Sequence, residues 1–193
     1  MSVDEIAVLA CSRKWGGRCV AGISIETGRW LRPVSRPSRN GLGPYYWRID
    51  GRAIRALDVV CLSHEGGLDD PSQPENALVD GSRWRLTGRL ESTDATDFLA
   101  RHVVQGPVLL GNRGTGRPRP RVGFALDGET YDLALTDYQV APKLMNAGLG
   151  VHEPVDIGLA PGASLYLTVS LAEAREGWCT KLVAAVIPLP RGP

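Results

Sequence analysis

The sequence predicts an all-β protein, built as a barrel or sandwich or as two small barrels in tandem. Three observations carry this. Apolar runs are short and rich in Val, Ile, Leu and Trp. Gly and Pro recur between them, 23 and 14 times in 193 residues, and place turn chemistry at close intervals. Helix signals are few: one capped segment and one short candidate. The tally is eight or nine short strands and at most two short helices.

Taken in order, Ile6-Ala-Val-Leu-Ala10 reads as a buried strand. Gly16-Gly17 turns into a strand over 18–25, and Thr27-Gly28 turns into Trp30-Leu-Arg-Pro-Val34. Short connections of this kind join antiparallel neighbours, giving a three-stranded meander. Pro33 limits the third strand to an edge or ends its ladder. Residues 36–56 read as an irregular, basic and aromatic loop that serves function or covers a core. Leu57–Leu62 is a strand, 64–81 a polar loop, and Trp84–Leu90 an alternating strand. Thr93–His102 is the best helix, with Ser92 or Thr93 as N-cap and acids in its first turn. Residues 111–120 form a Gly/Pro/Arg loop. Asp127-Gly128 between 122–126 and 130–135 is a hairpin signal. Residues 137–148 hold a second short helix or turn, and 164–171 and 178–187 are the closing strands.

Net charge is only +1, so the whole chain carries no polyanion signal. Its distribution is uneven. Residues 11–55 hold ten basic residues against two acids, a net of +8, and 113–121 add four arginines with no acid, which leaves −11 for the remainder. That segregation predicts a basic face. Nineteen of the 22 basic residues are Arg, whose planar guanidinium pairs phosphate bidentately and stacks on rings. The four cysteines lack C-x-x-C or zinc spacing and read as small buried hydrophobes in a reducing compartment. With no basic n-region, lipidation motif or apolar run of membrane length, the sequence predicts a cytoplasmic protein away from membranes.

Ser12-Arg-Lys-x-Gly-Gly-Arg-Cys-Val-Ala-Gly22 and Gly28-x-Trp-x-Arg-Pro-Val-Ser35 resemble the opening of the dual OB-containing domain family. Leu57-Asp-Val-Val60, Gln73-Pro-Glu-Asn76, Leu135-Thr-Asp137 and Lys181-Leu-Val-Ala-Ala-Val-Ile187 extend the likeness over nearly the whole chain. The resemblance implies two small OB-like barrels packed as one compact unit, with one or two short helices. The expected domains are 1–92 and 93–193, with an uncertain boundary across which strands can be exchanged. Members occur largely in bacteria, and some are tied by gene context to conflict and defence systems. The resemblance implies a fold more firmly than an activity.

Four kinds of chemistry compete. OB barrels bind single strands with basic grooves and stacked aromatics. In that reading Arg13, Lys14, Arg18 and Arg32 contact phosphates, Trp15 at the turn tip stacks a base, and Tyr45, Tyr46 and Trp47 add a second platform. Against it, Trp30 and Trp47 are core residues and the arginines a solvated face. A nucleotide or small-metabolite pocket would draw on Gln73, Glu75 and Asn76, completed by Asp137, Lys143 and Lys181. The plainer alternative is that Glu75-Asn76 only organises its loop and that Lys181 marks a strand's exposed start. For an enzyme, His64, His102 and His152 are scattered, Asp69-Asp70 lies in a turn, and Ser12-x-Lys14 is too short for a helical dyad. An adaptor that binds a partner protein encoded nearby is the fourth. The sequence favours the first, a single-stranded DNA or RNA module of a bacterial defence or repair system. Its expected ligand-binding residues are Ser12, Arg13, Lys14, Trp15, Arg18, Arg32, Tyr45, Gln73, Glu75, Asn76 and Lys181, with no catalytic residue, metal or cofactor.

Overall fold

The computed structural model describes residues 1–14, 16–36, 41–70, 73–103, 121–126, 129–141, 151–152, 164–172, 176 and 179–189. The chain divides into two compact units, Met1–Glu91 and Ser92–Pro193.

In the first unit, β1 (Ser2–Lys14) is buried without a break from Ile6 to Ser12. It pairs with β2 (Gly17–Ser24) along one edge and with β6 (Asp58–Gly67) along the other. β2 continues into β3 (Trp30–Val34), β3 pairs in parallel with β7 (Asn76–Val79), and β7 pairs antiparallel with β6. The ladder therefore runs β1-β2-β3-β7-β6 and back to β1, a closed five-stranded barrel with the order of an OB fold. β8 (Arg85–Arg89) adds to β6 outside the closed ring.

Closure buries an apolar interior. Along β6 every second residue is buried, and Asp58, Val60, Leu62 and His64 form one column, polar at both ends and apolar between. Gly22 lies at a close approach of β1 and β2. A Cβ there would fall 2.2 Å from the Ala7 carbonyl oxygen, beside the register shift between Val8 and Ala10.

Two expectations change here, and of the two readings of Pro33 the ended ladder holds on the β2 side. Pro33 is not on an edge, because β3 lies between β2 and β7. The Arg32 amide donates to the Glu75 carbonyl on the β7 side at 2.7 Å, so the next nitrogen, that of Pro33, faces β2. The β2 ladder ends at Leu31, and the missing N–H costs no bond. The span 64–81 is not simply a loop: β6 runs on to Gly67, and all four residues of β7 are buried. The span 36–56 also carries structure, namely α1 (Pro44–Trp47) and a two-residue hairpin of β4 (Arg48–Ile49) and β5 (Arg52–Ala53). Its turn residues Asp50 and Gly51 have φ of 49° and 80°, as a tight hairpin turn requires.

The second unit opens with α2 (Ser92–His102), which buries Ala95, Phe98 and Leu99 at i, i+3, i+4 spacing. Its sheet joins β9 (Arg121–Leu126), β10 (Glu129–Leu135), β11 (Val151–His152), β12 (Ser164–Leu171) and β13 (Lys181–Leu189) in the order β11-β9-β10-β13-β12. β9 and β10 are antiparallel, β10 and β13 parallel, and β13 and β12 antiparallel. These senses, in the same chain order, repeat the β2-β3-β7-β6 ladder of the first unit. Leu135, Ala141, Val183 and Val186 form its core. Asp127-Gly128, the loop 111–120 and most of 137–148 lie outside the described residues.

Candidate nucleic-acid interface

The β1–β2 hairpin sets Arg13 directly opposite Arg18, and Lys14 opposite Gly17. Gly16 turns the chain with φ of 71°. Gly17 serves another purpose. A Cβ on it would stand 2.2 Å from the Leu42 carbonyl oxygen, so only glycine lets the 41–42 backbone close on β2. Arg18 and Leu42 then exchange both backbone hydrogen bonds, at 3.0 and 2.8 Å.

That junction positions the aromatic side chains of α1. The Leu42 carbonyl also accepts the Trp47 indole N–H at 2.9 Å. Trp47 is thereby held beneath Arg18, whose guanidinium carbon lies 3.7 Å from the ring centroid, close enough for a cation–π contact. On the same short helix Tyr45 is 50 % exposed. It meets Tyr46 edge-on at 5.2 Å, and the Arg83 guanidinium lies 5.7 Å from its ring centre. Tyr46 packs on buried Trp84 at 5.5 Å. Burial, with Tyr45 and Asp80 nearby, pushes the Tyr46 hydroxyl above its ordinary range. The Trp84 indole N–H is buried and has no hydrogen-bond partner among the described residues.

A second cluster joins residues that lie far apart in sequence. Arg32 on β3 is only 5 % exposed. Its Nε donates to Asn76 Oδ1 at 2.6 Å, its Nη2 donates to Gln73 Oε1, and Glu75 Oε1 stands 3.9 Å from Nε. The Gln-Pro-Glu-Asn segment thus docks the start of β7 onto β3 through one buried guanidinium. The sequence groups Arg32 with the phosphate contacts and Gln73, Glu75 and Asn76 with a base-reading pocket. The structure instead turns Arg32 inward onto the Gln73 and Asn76 amides.

Carboxylates brace both units. Asp58 is fully buried and accepts from Arg52 at 2.8 Å, the Arg55 amide at 2.8 Å and Arg89 at 2.9 Å. Burial alone would raise its carboxyl, but these three donors hold it below the usual carboxylate range. In the second unit buried Asp137 accepts from the amides of Gln139 at 2.7 Å, Val140 at 3.1 Å and Val186 at 3.0 Å. It caps its own turn and ties that turn to β13.

The predicted residues therefore separate. Arg13, Lys14 and Arg18 lie on the hairpin, with Arg13 exposed, and Arg18 stacks on Trp47 of the helix that carries Tyr45. Ser12 is buried in β1 opposite Cys19. Arg32, Gln73, Glu75 and Asn76 form the second cluster. Lys181 begins β13 in the other unit. Trp15 and Lys143 lie outside the described residues. Sequence reasoning misses Arg83 and Trp84 as site residues, whose signal is an Arg-Trp pair at the start of the predicted strand Trp84–Leu90. The reading weighed against binding sets Trp30 in the core, whereas the residue is 44 % exposed. No disulfide or metal-binding group of His, Cys, Asp and Glu occurs among the described residues, and no described helix is long and apolar enough to cross a membrane.

The model of the dual OB-containing domain matches residues 4–110, more than half the chain. The chain belongs to the dual OB-containing domain family. The match takes in the closed barrel from β1 to β8 and continues through α2. Neither curated proteins nor solved structures supply a match. Within this dual OB chain the β1–β2 hairpin receives Leu42, and Gln73 and Asn76 accept from Arg32.

Proposed function

We propose that the first barrel binds single-stranded DNA or RNA at the β1–β2 hairpin and α1. The observation that carries this is the pairing of Arg13 with Arg18 across the hairpin, with Arg18 stacked on Trp47 of the short helix that also carries half-exposed Tyr45. Like charges directly opposite on a β ladder are destabilising, and a bound phosphate would relieve them. Arg18 stacks on Trp47, and Tyr45 offers a half-exposed ring on the same helix. Together they supply the charge and the π surface that unpaired nucleotides engage. As a cytoplasmic module of a bacterial defence or repair system, the domain would hold a strand for a partner protein encoded nearby.

The test is a titration of labelled single-stranded DNA and RNA at two salt concentrations. Wild type is expected to bind with a steep salt slope. The double variant Arg13→Ala/Lys14→Ala should bind more weakly, with a slope lower by about 1.4 for two lost phosphate contacts on a single strand. Absence of binding at low salt would overturn the proposal. Selective stabilisation by a mononucleotide would redirect it to a nucleotide sensor.

A further inference from the structure

We infer that the free edge of β8 receives an extended acidic peptide of a partner protein, which joins the sheet as a further strand. β6 pairs with β1 along one edge, and its other edge is shared, with residues 64–67 facing β7 and 58–61 facing β8. β8 is therefore the last strand of the order β1-β2-β3-β7-β6-β8, and among the described residues no strand lies along its far side. That side is open. Arg85, Thr87, Gly88 and Arg89 are exposed, and a Cβ on Gly88 would meet nothing within 4 Å. A strand edge presents alternating N–H and C=O groups, which another peptide backbone matches and a nucleotide does not. The strand, Arg-Leu-Thr-Gly-Arg, also has no aromatic ring on which a base could stack.

Charge selects the occupant. Residues 83–89 hold three arginines and no acid. In the ladder Arg85 stands opposite Cys61 and Arg89 opposite Asp58. Those partners are an odd number of positions apart on β6, so the two arginines occupy opposite faces of the sheet. The register shift at Val59/Val60, which leaves Thr87 unmatched on β6, produces this arrangement. Arg89 is fixed on its face because Asp58 accepts from it at 2.9 Å and from Arg52 at 2.8 Å, with the two arginine side chains 41 % and 42 % exposed. Arg85 holds the other face, its Nη2 3.6 Å from the Cys61 sulfur. A second copy of β8 is a poor fit. Antiparallel pairing about Thr87 would set Arg85 against Arg89 at both ends, which is repulsive. A strand with carboxylates opposite Arg85 and Arg89 meets an attractive partner on each face instead.

The experiment titrates the whole chain with a labelled Glu-Glu-Val-Thr-Val-Glu-Glu peptide, which offers carboxylates to both faces at each end. Its controls are the same peptide with Lys for Glu, and the acidic peptide N-methylated on its central amides. Wild type should bind the acidic peptide alone, with new hydrogen-exchange protection in β8. Arg85→Glu is expected to weaken that binding about fivefold, through one attractive cross-strand pair lost and one repulsive pair gained. The double variant Arg13→Ala/Lys14→Ala should bind the peptide like wild type. Binding that survives N-methylation, or that falls in the hairpin double variant and not in Arg85→Glu, would overturn strand addition at β8. So would the absence of binding at low salt. A dimer of the free protein with β8 already protected would show a second copy on that edge and overturn it as well.

Discussion

The two units carry the same four-strand ladder but fasten its parallel pair differently. In the first, β3 and β7 are joined by a buried guanidinium, with Arg32 donating to Gln73 and Asn76. In the second, β10 and β13 are joined from the end of β10. The Thr136 amide and hydroxyl donate to the Val183 carbonyl at 2.9 and 3.2 Å, and Asp137 accepts from the Val186 amide. The first device is a charge that must be fully satisfied once buried. The second is a cap extended by one strand. An OB ladder thus constrains where its parallel pair is pinned more tightly than the chemistry that pins it.

The largest expected effect breaks the first pin. Arg32→Ala should cost about 4 kcal/mol, because it removes a buried ion and takes a donor from the Gln73 and Asn76 side-chain oxygens. Chemical denaturation reads this directly, and hydrogen exchange should place the loss in β3 and β7. A cost under about 1 kcal/mol would mean that the network is dispensable. Asp137→Ala should cost about 3 kcal/mol through three orphaned amides, with exchange rising in β10 and β13. Equal deprotection of both units by either variant would show that the two pins are not independent.

The smallest effect sharpens the comparison within the first unit. The Asp58 carboxyl is held low when folded, so it contributes stability above its unfolded pKa of about 3.9 and loses it as pH falls through the folded value. Asp58→Asn should therefore cost about 2 kcal/mol near neutrality and progressively less in acid. Denaturation curves that stayed parallel down to acid pH would remove Asp58 from the account.

What can be read in the sequence tracks period and turn chemistry. The meander, α2 and the β9–β10 hairpin announce themselves through alternation, caps and glycine turns. β7 does not, because Asn76, Ala77, Leu78 and Val79 are all buried and show no alternation. The basic hairpin is legible as charge, and Arg13 is exposed there. Arg32 is not, because an arginine in a strand reads as surface until its partners, 41 and 44 residues away, are brought beside it. Trp30 misleads in the opposite sense, since a tryptophan in an apolar strand reads as core. Asp137 reads as part of a polar site because a capping carboxylate and a reactive one look alike in sequence.

The barrel's order has a consequence for synthesis on the ribosome. β1, β2 and β3 are made first, yet Arg32 and Asn76 lie 44 residues apart. At 5–20 residues per second the nascent meander waits roughly 2–9 s for its closing strand. Through that interval the β3 edge and the Arg32 side chain lack the partners that later bury them. This is the stage at which the young chain is most open to pairing with a neighbour.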